Sequence, residues 1–103
     1  MPFSVGSRWL LQRAGAADQT IEVDSAAGDV FTAHYVGTGN PSIFNGETYR
    51  RQGKILYMKQ GQAANAYHAL HIGVEREPDV WGGYWCGVGV PPTDEGEFKL
   101  SAR

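Results

Sequence analysis

Residues 67–87 read YHALHIGVEREPDVWGGYWCG, and the pattern of this stretch decides the fold. Leu70, Ile72 and Val74 occupy every second position, which is the periodicity of a β-strand. The segment at 75–78, EREP, then interrupts the pattern with charges and a proline, as a turn does. The stretch therefore predicts two antiparallel strands, at about 66–74 and about 79–87.

The same period continues outward from this pair of strands. It predicts six further strands at about 7–13, 19–25, 30–37, 43–50, 54–60 and 97–101, separated by turn-rich segments such as GTGNP at 37–41. The best helical stretch, at 60–66, is short and has no apolar face, so we interpret it as a loop. Connections this short exclude parallel crossovers. The prediction is one all-β domain over residues 1–103, an eight-stranded antiparallel meander that closes into a barrel.

Two segments of the chain correspond to each other and set the register of the interior. FTAHYVG at 31–37 aligns with YHALHIG at 67–73, at an offset of 36 residues. Two similar hairpins would produce this correspondence. We therefore expect Phe31, Ala33 and Tyr35 to face the same side of the sheet as Tyr67, Ala69 and His71.

Composition excludes several classes of function. The formal net charge of −2 gives no electrostatic case for nucleic acid or for an anionic membrane as a partner. A single cysteine, Cys86, excludes an internal disulfide and a cysteine-based zinc cluster. No segment has the apolar length of a signal peptide or of a membrane span, so we expect a cytoplasmic protein. No cofactor fingerprint is present.

The three histidines do not predict a metal site. His68 and His71 are three residues apart, which places them on opposite faces of one strand. His34 is the equivalent of His68 on the other hairpin, and both are expected to face solvent. No nucleophile or acid–base motif is recognisable, so no catalytic residue is predicted.

Both faces of the strands at 54–87 are apolar, although a half-exposed sheet would be polar on its outer face. The first face mixes aromatic residues with small ones, and the second is aliphatic. The first face consists of Ile55, Tyr57, Lys59, Tyr67, Ala69, His71, Trp81, Gly83 and Trp85. The second consists of Leu56, Met58, Leu70, Ile72, Val74, Val80, Tyr84 and Cys86.

The first face suits a barrel interior that holds a ligand, and the second suits an interface in a homo-oligomer, a dimer or a tetramer. An alternative is a two-layer sandwich in which the aliphatic face is the core. The candidate ligand-binding residues are Trp9, Tyr35, Tyr57, Tyr67, His71, Trp81 and Trp85. The candidate interface residues are Leu56, Met58, Leu70, Ile72, Val74, Val80 and Tyr84.

The chain resembles the calycin group, and within it avidin-like barrels more than lipocalin-like ones. The resemblance is carried by the meander, by a glycine before the first-strand tryptophan (Gly6 and Trp9), by FNG at 44–46 and WGG at 81–83, and by the closing GEFKL at 96–100. It implies a small ligand in one end of the barrel and association through the outer faces of the later strands. The stretch LLQRAGA at 10–16 lacks the Asn and Ser of a biotin site, so the resemblance implies the architecture without biotin.

These observations predict a protein that binds a flat aromatic or heterocyclic small molecule. One alternative is an assembly or interaction protein whose barrel is filled by its own side chains. Another is a carbohydrate-binding, lectin-like module, since QTIEVDS at 19–25 and YVGTG at 35–39 resemble segments of cyanobacterial mannose-binding agglutinins. A further alternative is a small isomerase or cyclase that uses His71 or Tyr57 as its acid or base.

Overall fold

Eight antiparallel strands form a closed barrel in the part of the chain that the structure describes. The structure is a computed structural model, and it describes residues 3–49, 54–61, 68–88 and 95–103. The strands are β1 (Arg8–Arg13), β2 (Gln19–Ala27), β3 (Val30–Val36), β4 (Ile43–Tyr49), β5 (Ile55–Gly61), β6 (His68–Glu77), β7 (Val80–Val88) and β8 (Glu95–Ala102). Each strand pairs with the next along the chain, as the sequence predicts. The all-β meander barrel is confirmed.

The barrel closes because the last strand returns to the first. β8 pairs with β1 over five positions, from Trp9 opposite Ala102 to Arg13 opposite Phe98. Closure leaves no strand edge unpaired, and it excludes the two-layer sandwich that the sequence left open. The four described ranges contain no helix that is long and apolar enough to cross a membrane.

Alternation places one set of side chains inside the barrel. Phe31, Ala33 and Tyr35 on β3 share the interior with Ala69 and His71 on β6, so the predicted register of these strands is confirmed. Tyr67, the sixth residue of that prediction, lies outside the described residues. Trp9, Trp81 and Trp85 are also interior and almost fully buried.

The predicted face of β5 is wrong. Leu56 and Met58, expected on the outer face, are fully buried, and Tyr57, expected inside, is 37% exposed. Met58 is opposite His71 in the β5–β6 ladder, and directly opposite residues share a face. The apolar pattern could not set the phase of β5 because both of its faces are apolar. Lys59 indicates the correct orientation of β5. It shares a face with Tyr57, and because a buried unpaired ammonium is costly, that face must be the outer one.

Two glycines bring β6 and β7 unusually close together. Gly73 and Gly83 are opposite each other, and a Cβ on Gly83 would lie 2.1 Å from the carbonyl oxygen of Ile72. Phe98 on β8 is opposite Gly83, and its ring would be 3.0 Å from a Cβ on Gly73. These glycines make room for backbone and for an aromatic ring of the barrel itself.

Candidate functional site

The two ends of the barrel differ in chemistry. At the closed end, where β1 begins, Phe3 enters from the segment before β1 and is fully buried. Its ring stacks on Phe31 at a centroid distance of 4.2 Å and lies 4.5 Å from Trp9 and 5.8 Å from Trp81. The aromatic side chains of this end fill the barrel with protein.

At the opposite end, which we call the polar end, the interior side chains are hydrogen-bonding groups. β1, β3 and β5 finish here, and their last inward residues are Arg13, Tyr35 and Gln60. β6 begins here and contributes His71, which is fully buried. Strand direction and alternation therefore bring together four polar residues that are far apart in sequence.

The guanidinium of Arg13 is the centre of this arrangement. Its Nη1 donates to Oε1 of Gln60 at 2.7 Å and approaches Nε2 of His71 at 3.4 Å. Its Nη2 donates to the hydroxyl oxygen of Tyr35 at 2.7 Å. The guanidinium carbon lies 5.0 Å from the centre of the Trp85 ring, within the range of a cation–π contact. Arg13 is thereby held by contacts with four strands, β3, β5, β6 and β7.

His71 is neutral in this setting. Burial, and to a smaller extent the nearby Arg13 charge, lower the pKa of His71 to about 4, and a hydrogen bond to Met58 partly opposes the shift. Nδ1 lies 3.1 Å from the carbonyl oxygen of Met58, which can only accept, so the ring proton is on Nδ1. The lone pair of Nε2 therefore faces Arg13 and accepts from it.

A second set of hydrogen bonds fixes the orientation of Gln60. Its Nε2 donates to Oγ of Ser42 at 3.2 Å, and that hydroxyl donates to Oδ1 of Asn40 at 2.7 Å. The amide nitrogen of Ser42 also donates to Oδ1 of Asn40, at 2.9 Å. Because the amide nitrogen of Gln60 is engaged by Ser42, its oxygen is turned toward Arg13.

An open pocket of about 310 Å³ lies in front of these groups. It is bounded by the polar-end strands and by the loops that follow β1 and β3; its lining residues are Arg13, Ala16, Ala17, Gln19, Tyr35, Thr38, Asn40 and Gln60. Trp85 does not line the pocket, so an incoming molecule meets the guanidinium of Arg13 rather than the indole. The volume is at the lower end of the range of small-molecule sites.

The positive charge of Arg13 has no counter-charge within 4 Å in the described ranges. Its side-chain partners there are an amide, a hydroxyl and a neutral imidazole, and its buried Nε has no hydrogen-bond partner among the described residues. By contrast, Arg8 pairs with Glu22 at 2.9 Å and Lys54 with Glu75 at 2.8 Å. A half-buried cation without an anion is unusual, because desolvation of a charge is costly unless the charge is paired.

The structure separates the residues that the sequence grouped as one ligand site. Tyr35, His71 and Trp85 meet at the polar end, but only Tyr35 lines the pocket. Trp9 and Trp81 belong to the aromatic core of the closed end. Tyr57 is on the outer surface, and Tyr67 lies outside the described residues.

Sequence reasoning missed Arg13, Gln60 and Ser42. Two of them carried a detectable signal, because Arg13 continues the inward phase of Trp9 and Leu11, and Gln60 continues that of Leu56 and Met58. A polar residue at an inward-facing position near the end of a strand indicates that this end of the barrel interior is polar. Ser42 has the inward phase of Phe44 but lies one residue before β4, outside the predicted strand.

The outer surface of β5, β6 and β7 carries exposed apolar side chains. Ile72 is opposite Tyr57 on one side and Tyr84 on the other, and Tyr84 is 68% exposed. We call this surface the apolar face; it consists of Tyr57, Leu70, Ile72, Val74, Tyr84 and Val88. The predicted interface residues Leu70, Ile72, Val74 and Tyr84 belong to it. Val80 lies at its margin and is half-buried.

The groups at the polar end are hydrogen-bonding groups and one cation. A cation, a hydroxyl and amide groups converge there, and among the described residues none of these groups is a nucleophile activated by a base. In the described ranges, no group of three His, Cys, Asp or Glu side chains is placed to hold a metal ion. His34, which the sequence placed toward solvent, is on the outer surface and contacts Asp24 at 2.6 Å.

Comparison of the chain with protein-family models, with curated proteins and with solved structures finds no significant match.

Proposed function

We propose that this protein binds a small organic molecule at the polar end of its barrel. The observation that carries the proposal is the convergence of Arg13, Tyr35 and Gln60 on an open pocket of about 310 Å³. Small-molecule sites are concave and contain a few polar groups that fix the orientation of the ligand. A barrel filled only for stability would gain little from a buried arginine network.

A calycin-like architecture is part of this proposal. The closed eight-stranded antiparallel meander is compatible with it, and so is the contrast between a packed closed end and a polar end with a pocket. Barrels of eight strands are just wide enough to be filled by side chains or to hold one small ligand. In this barrel, side chains fill the closed end, and the polar end has room for a ligand.

A flat ligand suits the pocket. Trp85 lies behind Arg13, whose guanidinium is itself planar and conjugated and stacks on flat rings. An aromatic or heterocyclic molecule would therefore meet Arg13 face-on or edge-on, within hydrogen-bond reach of Tyr35. This supports the flat-ligand class expected from the sequence, with Arg13 and Tyr35 in place of the tryptophan wall.

The test is a melting-temperature screen of flat aromatic and heterocyclic compounds, followed by titration of tryptophan fluorescence. We expect at least one compound to raise the melting temperature and Tyr35→Phe to weaken its binding about tenfold, as loss of one hydrogen bond does. Tyr84→Phe removes the same atom from the exposed apolar face and is the matched control. If no compound binds, or if both variants weaken binding equally, the pocket is not the ligand site.

A second candidate function is assembly with another copy of the chain through the apolar face. Ile72 and Tyr84 are 53% and 68% exposed, and they are adjacent across the β6–β7 ladder. A contiguous apolar patch of this kind marks an interaction surface more often than free surface. The observation supports the homo-oligomer that the sequence predicted.

The margins of the apolar face favour a second copy as the occupant. Along one row of the barrel, Lys59 on β5 and Glu95 on β8 lie on opposite sides of Leu70 and Cys86. A copy turned over about an axis parallel to the strands would place each Lys59 against a Glu95. The face is thus self-complementary in charge as well as apolar, as a two-fold interface requires.

Sedimentation of the purified protein at tens of micromolar tests this candidate. We expect a dimer that Ile72→Lys converts to a monomer without a loss of folded structure. Thr32→Lys, a substitution at a half-buried outer position of β3 away from the apolar face, should leave the dimer intact. A wild-type chain that sediments as a monomer would contradict the proposal.

A further inference from the structure

We infer that the ligand of the polar-end pocket is a monocarboxylate, bound by the guanidinium of Arg13 and the hydroxyl of Tyr35. This inference rests on the proposed function and names the chemical class of its ligand. It depends on three features of the site: the uncompensated charge, the donors that remain unused, and the single unit of charge that must be balanced.

The first feature is the charge of Arg13. Its partners Gln60, Tyr35 and His71 are all neutral, and the acidic residue of the adjoining loop, Asp18, instead accepts a hydrogen bond from Nε2 of Gln12 at 3.3 Å. The charge is therefore desolvated by the barrel and left without an anion in the described ranges. An anionic ligand in the adjacent pocket would supply the missing charge, and attraction is stronger there than in bulk water.

The second feature is the number of unused donors. A guanidinium has five N–H groups, and the contacts with Gln60, His71 and Tyr35 use three of those on Arg13. Because Nε is buried, the donor left for a ligand is the second N–H of Nη2. The hydroxyl oxygen of Tyr35 accepts from Arg13, and its own proton has no acceptor in the described part of the chain. Two adjacent residues that line the pocket thus present donors and require an acceptor.

The third feature is the size of the charge. Arg13 is the one cationic side chain among the residues that line the pocket, all of which the structure describes. A carboxylate balances one positive charge, whereas a phosphate would carry close to two negative charges into the same site. A carboxylate also has two oxygens, one for the remaining N–H of Nη2 of Arg13 and one for the hydroxyl of Tyr35, and a hydrogen bond to a carboxylate is short and charge-assisted.

The experiment compares a panel of flat monocarboxylates with their own primary amides and with the corresponding aryl phosphates. Benzoate, benzamide and phenyl phosphate are the first set, titrated by calorimetry and by tryptophan fluorescence. We expect each bound acid to exceed its amide by about tenfold or more in affinity, because a charge-assisted hydrogen bond is replaced by a neutral one. We expect the phosphate to bind more weakly than the acid.

Two variants test the assignment to Arg13. Arg13→Gln keeps a hydrogen-bonding amide but removes the charge, so the acid and its amide should bind with similar affinity. Gln60→Glu keeps Arg13 and supplies a counter-charge within 2.7 Å of its Nη1, so acid binding should also be lost. Gln60→Glu is the useful variant if Arg13→Gln does not fold, because it introduces an ion pair and keeps the shape of the side chain.

The outcomes separate this inference from the proposed function. Preference for acids that both variants abolish supports the inference. Amides that bind as well as acids, or a preference that survives Arg13→Gln, would overturn the inference and leave the pocket as a ligand site. Tighter binding of the phosphate than of the acid would overturn the inference and indicate that the ligand is a dianion. If no compound of any class binds, both the inference and the proposed function are wrong.

Discussion

Nη1 of Arg13 and Oε1 of Gln60 are 2.7 Å apart and join strands on opposite sides of the barrel. β1 and β5 are four positions apart in either direction around the closed sheet, so no ladder hydrogen bond links them. The two side chains therefore cross the interior at the polar end. This bond, together with the one from Arg13 to Tyr35, forms the floor of the pocket.

Gln60→Leu should reduce the free energy of unfolding by about 1–3 kcal/mol, although leucine is the more hydrophobic residue. The substitution removes the acceptor of Arg13 and the donor to Ser42, and it leaves both partners buried or half-buried. Urea denaturation measures the change. Gln12→Leu is the control, because its amide donates to the exposed Asp18 and to no other residue that the structure describes, and a change below about 0.5 kcal/mol is expected. Equal losses in the two variants would show that the cross-barrel bond contributes no specific stability.

Phe3→Ala should cost about 3–5 kcal/mol, as for a fully buried core phenylalanine, although Phe3 lies outside every strand. Its ring is packed against Phe31 and Trp9, and its loss would open the closed end of the barrel. Urea denaturation of Phe3→Ala against Val5→Ala, an exposed position two residues away, checks this. A loss below 1 kcal/mol for Phe3→Ala would mean that the N-terminal segment does not seal the barrel.

The sequence predicted the order and the approximate bounds of all eight strands because turn residues and alternation are local signals. It also gave the correct inward face for β3, β6 and β7: the correspondence of 31–37 with 67–73 oriented β3 and β6, and Trp81 and Trp85 oriented β7. The phase of β5 was lost because Leu56 and Tyr57 are both apolar. In such a strand the one charged residue, Lys59, is more informative than the apolar residues around it.

The site was less predictable than the fold for a topological reason. Arg13, Tyr35 and Gln60 come from β1, β3 and β5, and their contacts span up to 47 positions in the chain. The directions of the strands bring these ends together. Those directions can be assigned only after the chain is recognised as an antiparallel meander. The feature that marked the site was the presence of polar side chains at inward-facing positions near the ends of strands. The number of aromatic residues did not mark it.

Stability should fall in acid because of His71. The pKa of His71 is lowered to about 4 in the folded protein by burial, by the Arg13 charge and against a Met58 hydrogen bond, while the unfolded chain keeps a value near 6.5. Between these two pKa values only the unfolded chain binds the proton. The contribution of the neutral His71 to the free energy of unfolding is therefore fully present above pH 6.5 and is lost as the pH falls toward 4. The loss is about 3 kcal/mol over this window.

Urea denaturation at pH 7.5 and 4.5 measures this dependence. His71→Gln should lose less stability between the two pH values than the wild type, because the titrating group is gone. Met58→Leu is the control: it perturbs the same part of the core and should shift both values without changing their difference. Parallel pH dependence in the wild type and His71→Gln would contradict the assignment of a neutral, buried imidazole.

Gly83→Ala should prevent folding or cost several kcal/mol, even though alanine is the smallest possible addition and favours ordered backbone. A Cβ at position 83 would lie 2.1 Å from the carbonyl oxygen of Ile72 and 2.5 Å from the Cα of Gly73, so the clash is with backbone that side-chain rotation cannot relieve. Relief requires separation of β6 from β7 at the point where Phe98 packs on them. The control is Gly39→Ala, where a Cβ meets nothing within 4 Å. Circular dichroism and urea denaturation of the two variants distinguish a steric requirement at position 83 from a general effect of glycine loss. A folded, stable Gly83→Ala variant would contradict the prediction and show that β6 and β7 have room to separate.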